Sequence, residues 1–274
     1  MKTRVISAAV ALVLLAAAMY FYRTVAFEIL IALISAIGVY EMCCAVGMNK
    51  TSIPTVCMSA AFAFIFIFRE YKGFNKYFPV AAIVLLLTVF VIQLKNFSTQ
   101  QFKDTAFCIM SAILIPLSFS SLVLMKMRFT GYAEGMFYIL LALAGAWIPD
   151  TGAYFAGRLF GKRKLCPQIS PKKTVEGAIG GFIAGIIFFV LYGFVFGRIA
   201  GFNVNYLYLV LLSPIVTAVS IIGDLSASVI KRQVGIKDYG KIMPGHGGVM
   251  DRFDSVLFTA PVTYIFISFL PIVF

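Results

Sequence analysis

Apolar runs about as long as a bilayer core is thick recur from one end of this chain to the other. A helix needs about 20 apolar residues to cross the hydrocarbon layer, and only helices or closed barrels can satisfy their backbone polar groups there. Such runs fall at about 5–22, 24–46, 54–68, 77–94, 105–121, 135–156, 175–197, 206–230 and 255–273. The 274 residues are 61% hydrophobic and only 12% charged, with mean hydropathy +0.97. A soluble fold of this size needs a more polar skin. The chain therefore reads as an all-α polytopic membrane protein with about nine transmembrane helices. The run at 5–22 follows Lys2 and Arg4 without a polar cleavage region behind it. A first span is expected there rather than a removed signal. The segment AFAFIFIF at 61–68 alternates like a strand, but its hydrocarbon setting favours helix.

The charges are lopsided, with 23 Lys and Arg against 11 Asp and Glu, a net +12. In a soluble chain that excess points to nucleic acid. Here most of it is expected to meet membrane lipid headgroups, and no nucleic-acid partner is expected. With the N-terminus cytoplasmic, the two densest basic loops, 157–174 and 231–252, both fall inside, whereas Arg23, Arg69, Lys72, Lys76, Lys126, Arg128 and Arg198 fall outside. That is the positive-inside bias, and nine spans then leave the C-terminus outside. Of the five cysteines, Cys43, Cys44, Cys57 and Cys108 sit in apolar runs and read as core residues, while Cys166 is in a polar loop. Residues 1–145 read as membrane scaffold and a dimer- or lipid-facing region. Residues 146–254 hold nearly all the unusual chemistry, so 146–274 is expected to be the catalytic region, with a polar cavity.

Two segments carry that chemistry. In the first, at 147–177, Asp150 follows Pro149 within or at the edge of an apolar helix. A carboxylate there is costly unless paired or solvated, so Asp150 is either a structural partner or a site carboxylate. Ser170, Lys172, Lys173 and Thr174 stand just before the next helix, where free backbone N–H groups and positive charge attract phosphate. A basic loop before a span is also ordinary membrane anchoring; the two hydroxyls tilt the reading towards phosphate.

The second segment covers 223–254. Asp224 is embedded near the end of an apolar helix, and Ser228 lies four residues on, on the same face. Lys231 and Arg232 end that helix. Asp251 and Asp254 are three residues apart and are expected on one face of the next helix. Two antiparallel helices joined by a short loop could bring Asp224 opposite Asp251. Facing hard oxygen donors bordered by lysines suit Mg²⁺ with a polyphosphate. A plain ion pair of Asp224 with Lys231 is the alternative. Pro244, Gly245, Gly247 and Gly248 surround His246, the single histidine, so a multi-histidine metal centre is excluded. The glycines allow close backbone approach to a ligand, and His246 could donate to a phosphate oxygen or transfer a proton.

The pattern Ser228-x-Ile230-Lys231-Arg232, four residues, Lys237-Asp238-x-Gly240, then Pro244-x-His246-Gly247-Gly248-Val249-x-Asp251-Arg252-x-Asp254 resembles the signature of the phosphatidate cytidylyltransferase family, also called CDP-diacylglycerol synthases. Residues 150–154 and 170–177 resemble the same family. The likeness is strong over 146–256 and only compositional before it. Met243 stands where the family is expected to carry leucine or a similar residue.

The resemblance implies that CTP and phosphatidate are converted to CDP-diacylglycerol and pyrophosphate by a nucleotidyltransferase of phospholipid biosynthesis. It implies Mg²⁺, with a second cation such as K⁺ or Mg²⁺, a homodimer, and a bacterial inner membrane with the site open to the cytoplasm. Asp224 and Asp251 match the family's metal-binding aspartates. Lys231, Arg232, Lys237, Asp238 and His246 join them as the candidate catalytic set. Asp150, Ser170, Lys172, Lys173, Thr174, Ser228, Gly247, Gly248 and Arg252 are the candidate substrate-binding set. A CTP-dependent lipid kinase of the dolichol-kinase type would use similar polar loops but transfer the γ-phosphoryl. A transporter of an anionic solute should show broken helices in both halves.

Overall fold

The computed structural model describes residues 13–71, 73–129, 131–245 and 247–274. Residues 5–12 of the span expected at 5–22, together with Lys2, Arg4, Lys72 and His246, lie outside the described residues, and residues 13–20 of that span are helical. In chain order the elements are α1 (Val25–Ala45), α2 (Met48–Thr51), α3 (Ile53–Phe66), α4 (Phe78–Lys95), α5 (Phe102–Arg128) and α6 (Tyr132–Phe160). These are followed by β1 (Lys164–Cys166), β2 (Ser170–Thr174), α7 (Val175–Ala200), α8 (Tyr206–Gln233), α9 (Met250–Phe253) and α10 (Val256–Phe269).

Among the described residues six helices are long and apolar enough to cross a membrane: α1, α4 with the 3₁₀ turn before it, α5, α6, α7 and α8. The fold is that of an all-α, multi-pass membrane protein. The runs at 54–68 and 255–273 form α3 and α10, each of 14 residues. At 1.5 Å per residue such a helix is about 21 Å long, short of the roughly 30 Å hydrocarbon core. Residues 61–66 of the alternating AFAFIFIF segment are helical, as their setting requires. Of the cysteines expected in the core, Cys43 and Cys108 are buried, Cys44 is half-buried and Cys57 is exposed.

Two local departures from the sequence reading shape the polar segments. The stretch after α6 is a short antiparallel hairpin, with Lys164 opposite Thr174 and Cys166 opposite Ser170. Its approach is pinned by Glu176, whose carboxylate accepts the backbone N–H groups of Lys162 at 3.0 Å and Arg163 at 3.2 Å. The helix expected to carry both Asp251 and Asp254 is also broken. Its first turn is α9, and a turn at Asp254 and Ser255 separates it from α10. Asp254 Oδ1 accepts the Ser255 N–H at 2.7 Å, a local side-chain bond that competes with helix continuation. The two aspartates therefore do not share a face of one continuous helix.

The chain forms two compact units. The first contains residues up to Val123 and Gln233–Phe253; the second contains Leu124–Arg232 and Asp254–Phe274. In the first, α1 packs on α3 around Phe27, Ile31, Val39, Val56 and Ala63, all buried. Helix α4 buries only Leu85 and Val89, so nearly its whole apolar surface is left for lipid.

In the second unit, the extensive α6–α7 contact follows from small residues. Helix α7 buries Gly177, Gly181, Gly185, Gly193 and Gly197 at multiples of four residues. Side chains four apart lie on one helix face, so this is a smooth stripe along which another backbone can approach closely. A methyl built on nearby Gly180 would lie 2.1 Å from the Cβ of Ala156. The opposite ridge of Ile179, Ile183, Ile187 and Leu191 is exposed. Hydroxyls complete the core: Ser220 donates to Ala146 O on α6, and Thr259 donates to Ala142 O.

Candidate active site

Each unit builds one polar centre. In the second unit the centre starts from the extended backbone of β2. Successive strand residues point to opposite sides. Lys172 is accordingly exposed, while Lys173 turns inward. Its Nζ lies 2.5 Å from Asp224 Oδ2, and the two side chains are 23% and 26% exposed. Ser228, one helical turn after Asp224, donates to Asp224 Oδ1 at 3.4 Å. Asp224 is within electrostatic reach of both Asp150 and Asp254, and Lys231 offsets the charge of Asp254. Three carboxylates on α6, α8 and the turn before α10 thus share this centre with Lys173. The sequence spacing did not reveal Lys173 as a partner of Asp224.

The other expected residues of this unit have more defined places. Thr174 is buried and caps α7, its Oγ1 accepting the Gly177 N–H at 3.1 Å. One of the N–H groups expected to attract phosphate is therefore already occupied by the chain itself. Arg232 Nε donates to Ile169 O at 3.4 Å and braces the hairpin turn. Ser170 is half-buried at the start of β2.

In the first unit the centre is the loop after α8. Asp251 Oδ2 accepts two backbone N–H groups, from Tyr239 at 2.8 Å and Gly248 at 3.0 Å, which fix the orientation of the carboxylate. Met243 N–H donates to Gly247 O at 2.9 Å, closing a tight turn. Gly247 has φ of +88°, a backbone state that a side chain strongly disfavours, and a Cβ there would lie 2.8 Å from Asp251 Oδ2. The loop lines an open cavity of about 640 Å³ whose wall includes Lys237, Asp238, Gly240, Lys241 and Arg252. Three cations against one carboxylate at its wall suit a polyphosphate.

Sequence reasoning missed three members of these centres. Lys241, in the basic loop 231–252, and Asp254, in the family signature, belong to neither candidate set. Glu41, on α1, is 2% exposed and accepts the N–H groups of Val249 at 3.1 Å and Met250 at 2.8 Å. The available signal was a carboxylate inside an apolar run, which is costly unless partnered.

The donors suit a hard divalent cation. Asp224 already faces a positive charge in Lys173, and Asp251 offers a carboxylate held in one orientation. Among the described residues no group of three or more His, Cys, Asp or Glu side chains is arranged to hold a metal. Carboxylate oxygens are hard donors, and Mg²⁺ usually takes one or two of them, completing its coordination with water and substrate phosphates.

Compared with known proteins, residues 2–270 match the Cytidylyltransferase family. The chain belongs to this family. The phosphatidate cytidylyltransferase of Bacillus subtilis strain 168 is 34% identical over 247 residues, covering 88% of each chain. Those of Staphylococcus haemolyticus and Staphylococcus saprophyticus are 41% identical over 183 residues and 42% over 184. These two alignments cover 67% of this chain and 65% of each relative, so the chain spans just under two thirds of their length.

Proposed function

We propose that this protein is a phosphatidate cytidylyltransferase of a bacterial membrane, converting CTP and phosphatidate to CDP-diacylglycerol and pyrophosphate. The observation that carries the reading is the family match over residues 2–270, with relatives of that name. The multi-pass fold and the cationic cavity agree with it. An oxygen of the lipid phosphate forms a bond to the α-phosphorus of CTP, and the bond from that phosphorus to the bridging oxygen of the leaving pyrophosphate breaks. The nucleophile is already ionised near neutral pH and needs little help from a base. The difficulty is to bring two anions together in line.

The residues have roles suited to that task. Lys237, Lys241 and Arg252 line the cavity for the triphosphate, with Asp238 among them and the Gly247–Gly248 backbone giving close approach. Lys172, beside Ser170, offers an exposed charge to phosphate, and Lys173 holds Asp224 until substrate arrives. Lys231 and Arg232 supply further positive charge at the end of α8. His246 is assigned to phosphate binding or proton transfer on its place in the motif alone. On their places in the motif, Asp224 and Asp251 are each assigned to Mg²⁺, which when bound would neutralise phosphate charge and stabilise the leaving pyrophosphate.

We propose further features of the membrane arrangement and site. They comprise nine spans with the N-terminus inside, basic loops facing the cytoplasm, a second cation, a homodimer, and residues 146–274 as the chief catalytic region. They rest on hydropathy, loop charge and the family resemblance.

The test uses purified protein in detergent with CTP, phosphatidate and Mg²⁺. The expected products are equal amounts of pyrophosphate and CDP-diacylglycerol, lost on chelation and restored by Mg²⁺. Absence of CDP-diacylglycerol from active, folded protein overturns the reading, and turnover unaffected by chelation removes the metal from it.

A further inference from the structure

We propose that Glu41 is a positioning residue for the transfer reaction, holding the backbone that presents Asp251 and the cationic cavity. The inference rests on the proposed cytidylyltransferase activity and extends it to a helix that sequence reasoning treated as scaffold.

Glu41 belongs to the apolar helix α1 and is 2% exposed. A carboxylate buried in a membrane helix is costly and persists only with partners that compensate it. Its partners are 208 and 209 residues away in sequence: Oε1 accepts the Val249 N–H and Oε2 the Met250 N–H. These groups start α9, the short turn that carries Asp251. Asp251 in turn accepts the Tyr239 and Gly248 N–H groups. Four backbone donors of one loop are thus gathered on two carboxylates, one from the loop and one from α1.

The two glycines pressed against Glu41 support the same assignment. A Cβ on Gly240 would lie 2.2 Å from Glu41 Oε1, and one on Gly248 would lie 2.4 Å from it. Neither glycine has a positive φ. Their φ values do not demand glycine; the Glu41 carboxylate takes the space a side chain would need at both, with Gly248 Cα a further neighbour at Gly240. Gly240 also lines the cavity with Lys237, Lys241 and Arg252. Moving Glu41 therefore moves the cavity wall and the segment leading into Asp251, with no need for Glu41 to touch substrate.

An amide at this position keeps the size and one acceptor but turns an N–H₂ towards a backbone donor. Glu41→Gln should raise the KM for CTP and the half-saturating Mg²⁺ concentration about 10-fold, as expected for losing one charge-assisted bond. Its kcat should fall less than about 3-fold. Amide hydrogen exchange of the peptide spanning 247–253, measured without substrate or metal, should quicken in the variant while the α6–α7 peptides stay unchanged. A second arm guards against misfolding. Gly248→Ala alone should be strongly impaired, but should cost little extra in a Glu41→Ala background, where the methyl enters vacated space. Unchanged KM, Mg²⁺ dependence and exchange in Glu41→Gln, or strictly additive effects of Glu41→Ala and Gly248→Ala, overturn the proposal. Wild-type protein that makes no CDP-diacylglycerol overturns the activity reading instead; the exchange result and additivity measured as thermal stability still report on Glu41.

Discussion

Replacing Lys173 by methionine tests the polar centre of the second unit directly. Methionine keeps an unbranched, flexible chain and removes the charge that sits 2.5 Å from Asp224. Exposed ion pairs contribute roughly 0–1 kcal/mol. Removing one partner from a fully buried pair costs roughly 3–5 kcal/mol, because the other charge is left uncompensated. The two side chains are 23% and 26% exposed, so this pair lies between those limits. The repulsion of Asp224 with Asp150 and Asp254 adds to the loss. Lys173→Met should therefore destabilise the metal-free protein by about 2 kcal/mol. Asp224→Asn introduced into that variant should be nearly neutral, giving a coupling energy of about 1–2 kcal/mol. Mg²⁺ should stabilise Lys173→Met more than wild type, since the cation compensates the carboxylate that the ammonium no longer does. The assay is reversible unfolding in detergent micelles, with and without Mg²⁺. Additive single and double variants, or a loss below about 0.5 kcal/mol, would refute the reasoning.

The remaining predictions concern packing, charge roles and topology. Gly180→Ala forces a methyl to within 2.1 Å of Ala156 Cβ, so α6 and α7 must separate; a loss of about 2 kcal/mol is expected in the same unfolding assay. Lys172→Ala should lower kcat/KM about 100-fold, or about 2.7 kcal/mol, whereas Lys162→Ala should change it by less than about 5-fold. Lys162 engages Glu176 through its backbone, which the substitution keeps. Equal losses in pyrophosphate-release kinetics would show that the whole basic stretch is site. Single cysteines placed in 157–174 and 231–252 should resist an impermeant thiol reagent added to sealed cells; labelling of both loops from outside reverses the proposed orientation.

Hydropathy made the long helices legible because each is apolar over a span's length, whatever its neighbours. The glycine stripe of α7 is also a local pattern, with its period written in the sequence. The hairpin was not legible, since Lys164–Cys166 and Ser170–Thr174 are too short and polar to show a period of two. The break at Asp254 was missed because a spacing of three fits a helix equally well until the side-chain bond to Ser255 N–H is seen. Motif residues such as Asp224 and Asp251 stood out, and the helical spacing placed Ser228 beside Asp224, but the partners from distant segments did not stand out. Lys173 and Glu41 reach the polar centres from distant segments, and no local pattern encodes those pairings.

The central claim is the identity of the bond made. The direct measurement follows CTP labelled with ³²P in either the α or the γ position through a reaction with phosphatidate, purified protein and Mg²⁺. The α label should pass into the lipid fraction as CDP-diacylglycerol, and the γ label should leave entirely in pyrophosphate. Label from the γ position in the lipid, with the α label left in free CDP, would make the protein a lipid kinase and contradict the account.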